Sequence, residues 1–302
     1  MEFLVGTHFN FLGHRRAAFI VSAVLILAGV ISMIAHGGLE LGIDFAGGSL
    51  VQVQFEKPIS AEAIRGTLAR IGYGDAEIQR FGGDREAIIR VADQGAGVDV
   101  AGQVLEALSE EHPDNRADIR REELVGPKVG SELSRRATLA VIYALIAILI
   151  YISLRFEFKF AVGAVAALVH DVLITLGAFS LTGREMTLPV IAALLTIVGY
   201  SLNDTIVIYD RIRKNRGRLH DRSFVEVVNT SLNESLTRTI VTSLTTLIVV
   251  ICLFFLGGEV IHDFAFALMI GVLVGTYSSL YVASPLVVEW EVRSEARRRH
   301  RH

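Results

Sequence analysis

Six near-continuous apolar runs dominate the sequence, at residues 17–35, 137–154, 160–182, 187–209, 239–257 and 264–288. Each is close to the ~20 residues that a helix needs to cross ~30 Å of hydrocarbon. Lipid offers no partner to backbone N–H and C=O groups, so runs of this length predict six transmembrane helices. Composition agrees, since 52% of the 302 residues are hydrophobic, beyond ordinary soluble domains. The single cysteine, Cys252, lies inside an apolar run, which excludes a disulfide framework and a cysteine metal site. The first run is longer than a signal-peptide core and has no Ala-x-Ala-like cleavage site, so it reads as a retained anchor. Arg15 and Arg16 ahead of it read as a topogenic charge pair.

Orientation follows from the distribution of Lys and Arg. With the N-terminus inside, the inner segments carry Arg15, Arg16, Arg155 and Lys159, then the cluster Arg211, Arg213, Lys214, Arg216, Arg218 and Arg222, then a tail rich in arginine. The two short outer loops hold only Arg184. The expected layout is a cytoplasmic segment 1–16, a first span 17–36, an external (periplasmic) domain 37–136, five further spans within 137–290, and a cytoplasmic basic tail 291–302. Both termini face the cytoplasm in this reading.

The external segment reads as an α+β domain. Residues 50–55 alternate like a strand, and Ser60 caps a helical stretch with Ala61, Ile64, Leu68 and Ile71 on one face. Two strands, 77–81 and 87–91, flank the turn Gly82-Gly83-Asp84-Arg85. A helix at 98–111 and a strand at 117–124 complete a β-α-β-β-α-β order, the ferredoxin-like pattern. The fold class is therefore an α-helical integral membrane bundle of six spans with one ferredoxin-like external domain between helices 1 and 2.

Ionisable side chains at membrane depth are costly and mark functional paths or buried partners. Asp171, beside His170, is eleven residues from Thr182 at the outer end, about 17 Å down. Asp204 lies about 25 Å below Thr187, and Arg238 about 28 Å below Gly257, so the two share a level. Antiparallel neighbours at one depth are expected to meet. An aspartate that alternates between an isolated and an arginine-paired setting binds and releases a proton; a static ion pair that only fixes packing is the competing reading. Ser201, Asn203 and Thr242 are supporting polar residues, with His170. Snorkelling is the alternative for Arg238, which opens its apolar run. Tyr209-Asp210 lacks the Gly-x-Gly-Asp partner of intramembrane aspartyl proteases, so that activity is rejected. Gly271, Gly275 and Ser279 form a small-residue stripe for close helix packing.

Several stretches together resemble the SecD/SecF family, within the resistance-nodulation-division superfamily. Gly42-Ile43-Asp44-Phe45-Ala46-Gly47-Gly48 looks like the SecF Gly-Ile-Asp-Phe-x-Gly-Gly signature. Val125-Gly126-Pro127-Lys128-Val129-Gly130 is similar to the stretch before the second span. Residues 199–213 resemble the fourth-span motif, and 235–239 with 243–246 the fifth-span region. The resemblance implies a SecD partner with its own carboxyl, the SecYEG channel, the SecA motor, unfolded secretory polypeptides and membrane lipid as neighbours, in the bacterial inner membrane. It implies export driven by the proton gradient, with Asp204 matching the fourth-span aspartate and Arg238 the fifth-span arginine. Gly42, Asp44, Gly47 and Gly48 are expected to shape the exit from the membrane. A scaffold subunit that stabilises the translocon is the second functional reading. A small-molecule exporter is disfavoured, since those carry twice the spans. Nothing points to an enzyme, a cofactor, a metal or a nucleic-acid site, and the cluster 211–222 reads as topogenic and facing anionic lipid.

Overall fold

A computed structural model describes residues 8–92, 98–258 and 261–299. Helix α1 (Arg15–Ala35) leads through a short α2 (Ile43–Ala46) into β1 (Gly48–Phe55), α3 (Ala61–Arg70), β2 (Glu77–Arg80), β3 (Glu86–Val91), α4 (Val100–Glu111) and β4 (Ala117–Val125). There follow α5 (Pro127–Arg155), α6 (Phe158–Thr182), α7 (Leu188–Arg218), α8 (Phe224–Leu256) and α9 (His262–Ser278). A π turn (Ser279–Ala283) joins α9 to α10 (Ser284–Arg299). Among the described residues, six helical spans are long and apolar enough to cross a membrane. Residues 1–7 of the N-terminal segment and 300–302 of the basic tail lie outside the described residues.

Alternation in the external strands decides how the small domain closes. Val51, Val53 and Phe55 project from β1 onto Ile64 and Leu68 of α3 and Val104 and Leu108 of α4, all at most 2% exposed. The antiparallel sheet has the order β2-β3-β1-β4, which is the ferredoxin-like arrangement. Ser60 Oγ accepts the Ala63 N–H at 3.1 Å, the expected cap. Gly82 and Gly83 carry positive φ in the β2–β3 turn, as the hairpin requires.

In the bundle, small residues let helices approach. A Cβ on Gly29 of α1 would lie 2.7 Å from the Gly177 Cα of α6. Gly29→Ala is therefore expected to force the helices apart and cost about 1–3 kcal/mol, measured as earlier thermal unfolding in detergent. Gly66→Ala is the control, because its Cβ meets nothing within 4 Å. The stripe on α9 behaves as expected: Gly271 sits against Ile197 and Gly275 against Ser201, both on α7.

Two features depart from the sequence reading. Helices outrun their apolar runs: α5 begins at Pro127, α7 continues to Arg218 and α8 begins at Phe224. Hydropathy marks the lipid-facing length, whereas a helix continues wherever its backbone stays bonded. Arg238 consequently lies mid-helix, not at a helix start. The last span also carries a π turn at Ser279–Ala283, beside which Ser284 Oγ donates to the Ser279 carbonyl at 3.0 Å. π turns of this kind occur mostly as single insertions, frequently beside functional sites.

Candidate functional site

Asp171 is the hub of a polar network inside the bundle. It is 1% exposed. Its Oδ2 accepts from Ser201 Oγ of α7 at 2.6 Å and from Ser278 Oγ of α9 at 2.8 Å. Its Oδ1 lies 2.9 Å from His170 Nδ1. The other ring nitrogen of His170 reaches Ser22 Oγ of α1 at 3.0 Å, and Ser22 reaches Tyr277 Oη at 3.2 Å. Tyr277 donates to the Ala18 carbonyl at 2.7 Å. Four helices thus converge on one carboxyl through hydroxyl and imidazole groups that can both donate and accept.

Asp204, one turn along α7 from Ser201, has a different environment. It is 4% exposed, and its Oδ2 has no hydrogen-bond partner. Thr242 and Ser243 of α8 lie beside it, and the Arg238 guanidinium is within electrostatic reach. Asp204 and Arg238 do not form an ion pair among the described residues, so the expected meeting is a proximity and not a contact. Arg238 is exposed on α8. Thr239 Oγ1 and Tyr200 Oη are also buried without partners. Thr242 donates to its own helix, to the Arg238 carbonyl at 3.0 Å.

Asn203 does not join either group. It is exposed, because adjacent residues sit about 100° apart around a helix and Asp204 takes the inward direction. The sequence reading missed Ser22, Tyr277, Ser278, Thr205 and Ser243 as polar partners, and gave Ser279 a packing role only. Thr205 pairs with Ser279 at 2.9 Å, and Ser243 accepts from Thr276 at 2.6 Å. The one available signal was the small-residue stripe, whose i, i+4 spacing on α9 continues into Ser279.

At the outer end, the glycine-rich segment is strapped to the loop between α6 and α7. Asp44 Oδ2 accepts the Leu188 N–H at 2.8 Å and so caps α7, whose own Thr187 makes no side-chain cap. Gly42 N–H donates to the Met186 carbonyl at 2.9 Å, and Met186 N–H to the Glu40 carbonyl at 2.7 Å. Gly47 and Gly48 have φ of 78° and 125°, and a Cβ on Gly48 would lie 2.6 Å from the Val91 carbonyl oxygen.

Comparison with known proteins decides the family. The family model "Protein export membrane protein SecD/SecF, C-terminal" matches residues 104–293, and the "SecD/SecF GG Motif" model matches 32–59. The chain belongs to the SecD/SecF family. A protein translocase subunit SecF of Desulfurispirillum indicum is 50% identical over 94% of this chain and 92% of its own length. One from Magnetococcus marinus is 52% identical over 95% and 93%. A SecDF crystal structure from Thermus thermophilus, described as a translocon-associated membrane protein, superposes with a TM-score of 0.87 at 40% identity over 96% of this chain. The chain spans 40% of that SecDF chain. Within this SecD/SecF chain, the GG-motif match contains Gly42, Asp44, Gly47 and Gly48, and the longer match contains Asp171, Asp204 and Arg238.

One ion pair ties the SecD/SecF external domain to the bundle. Arg90 of β3 meets Glu185 of the α6–α7 loop at 2.6 Å. Burial pushes the Glu185 carboxyl up to about 7; Arg90 opposes this, while Glu77, Asp263 and Glu40 reinforce it. A carboxyl raised on docking takes up a proton as the domain docks, so docking is strongest in acid and weakens as pH rises through 7. Between pH 6 and pH 8 the docking equilibrium is expected to fall, in proportion to the part of the shift that burial by the domain and Glu77 supply. Amide exchange at Met186 and Leu188 reads it, and Glu185→Gln should dock with no such pH dependence.

Proposed function

We propose that this chain is the SecF-type half of a proton-driven motor for protein export. In this reading it acts with a SecD-type partner at the SecYEG channel and the SecA motor, in the bacterial inner membrane with both termini cytoplasmic. Protonation of Asp204 is coupled to movement that helps unfolded polypeptides complete their crossing. The observation that carries the reading is the Asp204 carboxyl, buried at membrane depth with one oxygen unpartnered and Arg238 nearby but unbonded. A structural ion pair would have its charges in contact and its oxygens satisfied. Here a proton or a small approach of Arg238 changes the charge state of the site.

A partner subunit fits the rest of the geometry. Arg238 is exposed on α8 near the inner boundary of the hydrocarbon, within reach of a neighbouring subunit. Val241, Leu244 and Ile248 make α8 an exposed apolar surface alongside it. A SecD-type subunit on this face would cover the arginine and supply a further carboxyl. The scaffold reading draws on Asp171, whose oxygens are fully engaged and which suits a packing role.

Import into inverted membrane vesicles, with and without a protonophore, tests the motor reading. Vesicles carrying the wild-type complex should complete import faster with the gradient intact. No difference between the two conditions would favour the scaffold. Co-purification of the partner with Arg238→Met then reports whether charge loss acts through assembly.

A further inference from the structure

The basic residues at the bundle end opposite the folded domain form two groups that differ in what they meet. In the first, Asp210 pairs with Arg213 at 2.6 Å and Lys214 at 2.8 Å. Glu234 meets Arg218 and, at 3.7 Å, Arg211. Glu157 and Glu291 share Lys159 at 2.6 and 2.8 Å, and both also reach Arg216. Of the cluster 211–222 only Arg222 lacks an ion pair among the described residues. Every cation of the cluster but Arg222 thus shares a carboxylate of the chain, although six cations, Lys159 included, meet only four carboxylates.

The second group lines a groove of about 730 Å³ between the start of α1 and the end of α10. Arg15, Arg16, Phe19, Trp290, Arg293 and Arg297 face it. Arg15 is held by Glu289 at 2.9 Å and by the Leu12 carbonyl at 3.0 Å. Arg16, Arg293 and Arg297 have no ion pair among the described residues, which leaves three positive charges unanswered.

We propose that this groove binds the headgroup phosphate of an anionic phospholipid. Height, charge and shape agree. Arg16 immediately precedes the first apolar run, so the groove opens where headgroups meet hydrocarbon. Guanidinium groups pair with phosphate oxygens through two parallel N–H donors. Trp290, 47% exposed, has the amphipathic ring favoured at that boundary, and Phe19 continues the surface toward the acyl chains. Cations set beside an anionic leaflet with no internal partner gain from it in full, whereas those of the cluster already share carboxylates and gain less per charge. The inference does not depend on the motor reading.

Trp290 is the only tryptophan in the chain, so its fluorescence reports on this groove alone. The full-length protein is reconstituted in phosphatidylcholine vesicles containing a minor fraction of phosphatidylglycerol brominated on its acyl chains. Bromine quenching of Trp290 should exceed that from the same fraction of brominated phosphatidylcholine. The preference should fall about fivefold for each of Arg16→Gln and Arg293→Gln, and stay unchanged in Arg211→Gln/Arg213→Gln. Arg16→Lys/Arg293→Lys keeps the charge and should retain most of the preference, which guards against a folding defect. Equal quenching by the two lipids in the wild type overturns the proposal. So does loss of the preference in the paired-cluster control, or its displacement by millimolar inorganic phosphate, which would assign the groove to a free anion.

Discussion

Asp204→Asn is expected to reduce gradient-dependent export to the level that the wild type shows with a protonophore. The amide is nearly the same size and still offers an oxygen toward Thr242 and Ser243, so packing between α7 and α8 is retained. What it loses is ionisation. The variant should reach normal abundance and carry its partner subunit through purification, and adding protonophore should slow it no further. Normal late-stage import by this variant would sink the motor reading. Arg238→Met should produce the same deficit. Arg238→Lys tests the geometry of the partner, since an ammonium carries the charge without the planar fork of donors.

Asp171→Ala should cause the largest loss of stability. The hydroxyls of Ser201 and Ser278 and the ring of His170 would lose their acceptor at a buried position. Stranding a buried polar group costs about 1–3 kcal/mol, and breaking a buried charged partnership about 3–5 kcal/mol. We expect a total near the second range, seen as low membrane abundance and a lowered unfolding midpoint in detergent. Asp171→Asn divides the two roles. Its amide oxygen can still accept from Ser201 and Ser278, and its N–H₂ can donate to His170. If that variant is stable and exports normally, Asp171 is a packing hub. If it is stable and export stops, Asp171 handles protons together with Asp204.

The parts of the structure that local chemistry dictates were legible in the sequence. Ser60, the Gly82-Gly83 turn and the alternation of Val51, Val53 and Phe55 each act within a few residues, so the external domain could be read almost strand by strand. The six spans were legible because lipid imposes length and composition together. Rotation about a helix axis was less accessible. Asn203 and Asp204 are adjacent and similar in polarity, yet only Asp204 turns inward, which depends on how α7 sits against α8 and α9. Hydroxyls such as Ser22 and Ser278 do not stand out within an apolar run, because the preceding helical turn can satisfy them. Nor does the run 264–288 announce its π turn, which adds one residue to a turn without a breaker at that point. The fate of the arginines at the bundle end opposite the folded domain was likewise hidden. Glu157, Glu234 and Glu291, far apart along the chain, decide which cations are paired.

Helix α7 carries a consequence beyond its buried aspartate. Its outer tip is pinned by Asp44, at the root of the external domain, and Asp204 lies sixteen residues further along, about 24 Å away. A hydrogen-bonded helix is stiff along its length, so an ångström of sliding at the carboxyl arrives nearly undiminished at the domain's base. In the motor reading α7 serves as a pushrod between Asp204 and the small domain, with Asp44 as the pin that joins them. Replacing Asp44 with alanine should leave events at Asp204 intact and disconnect them from the far side.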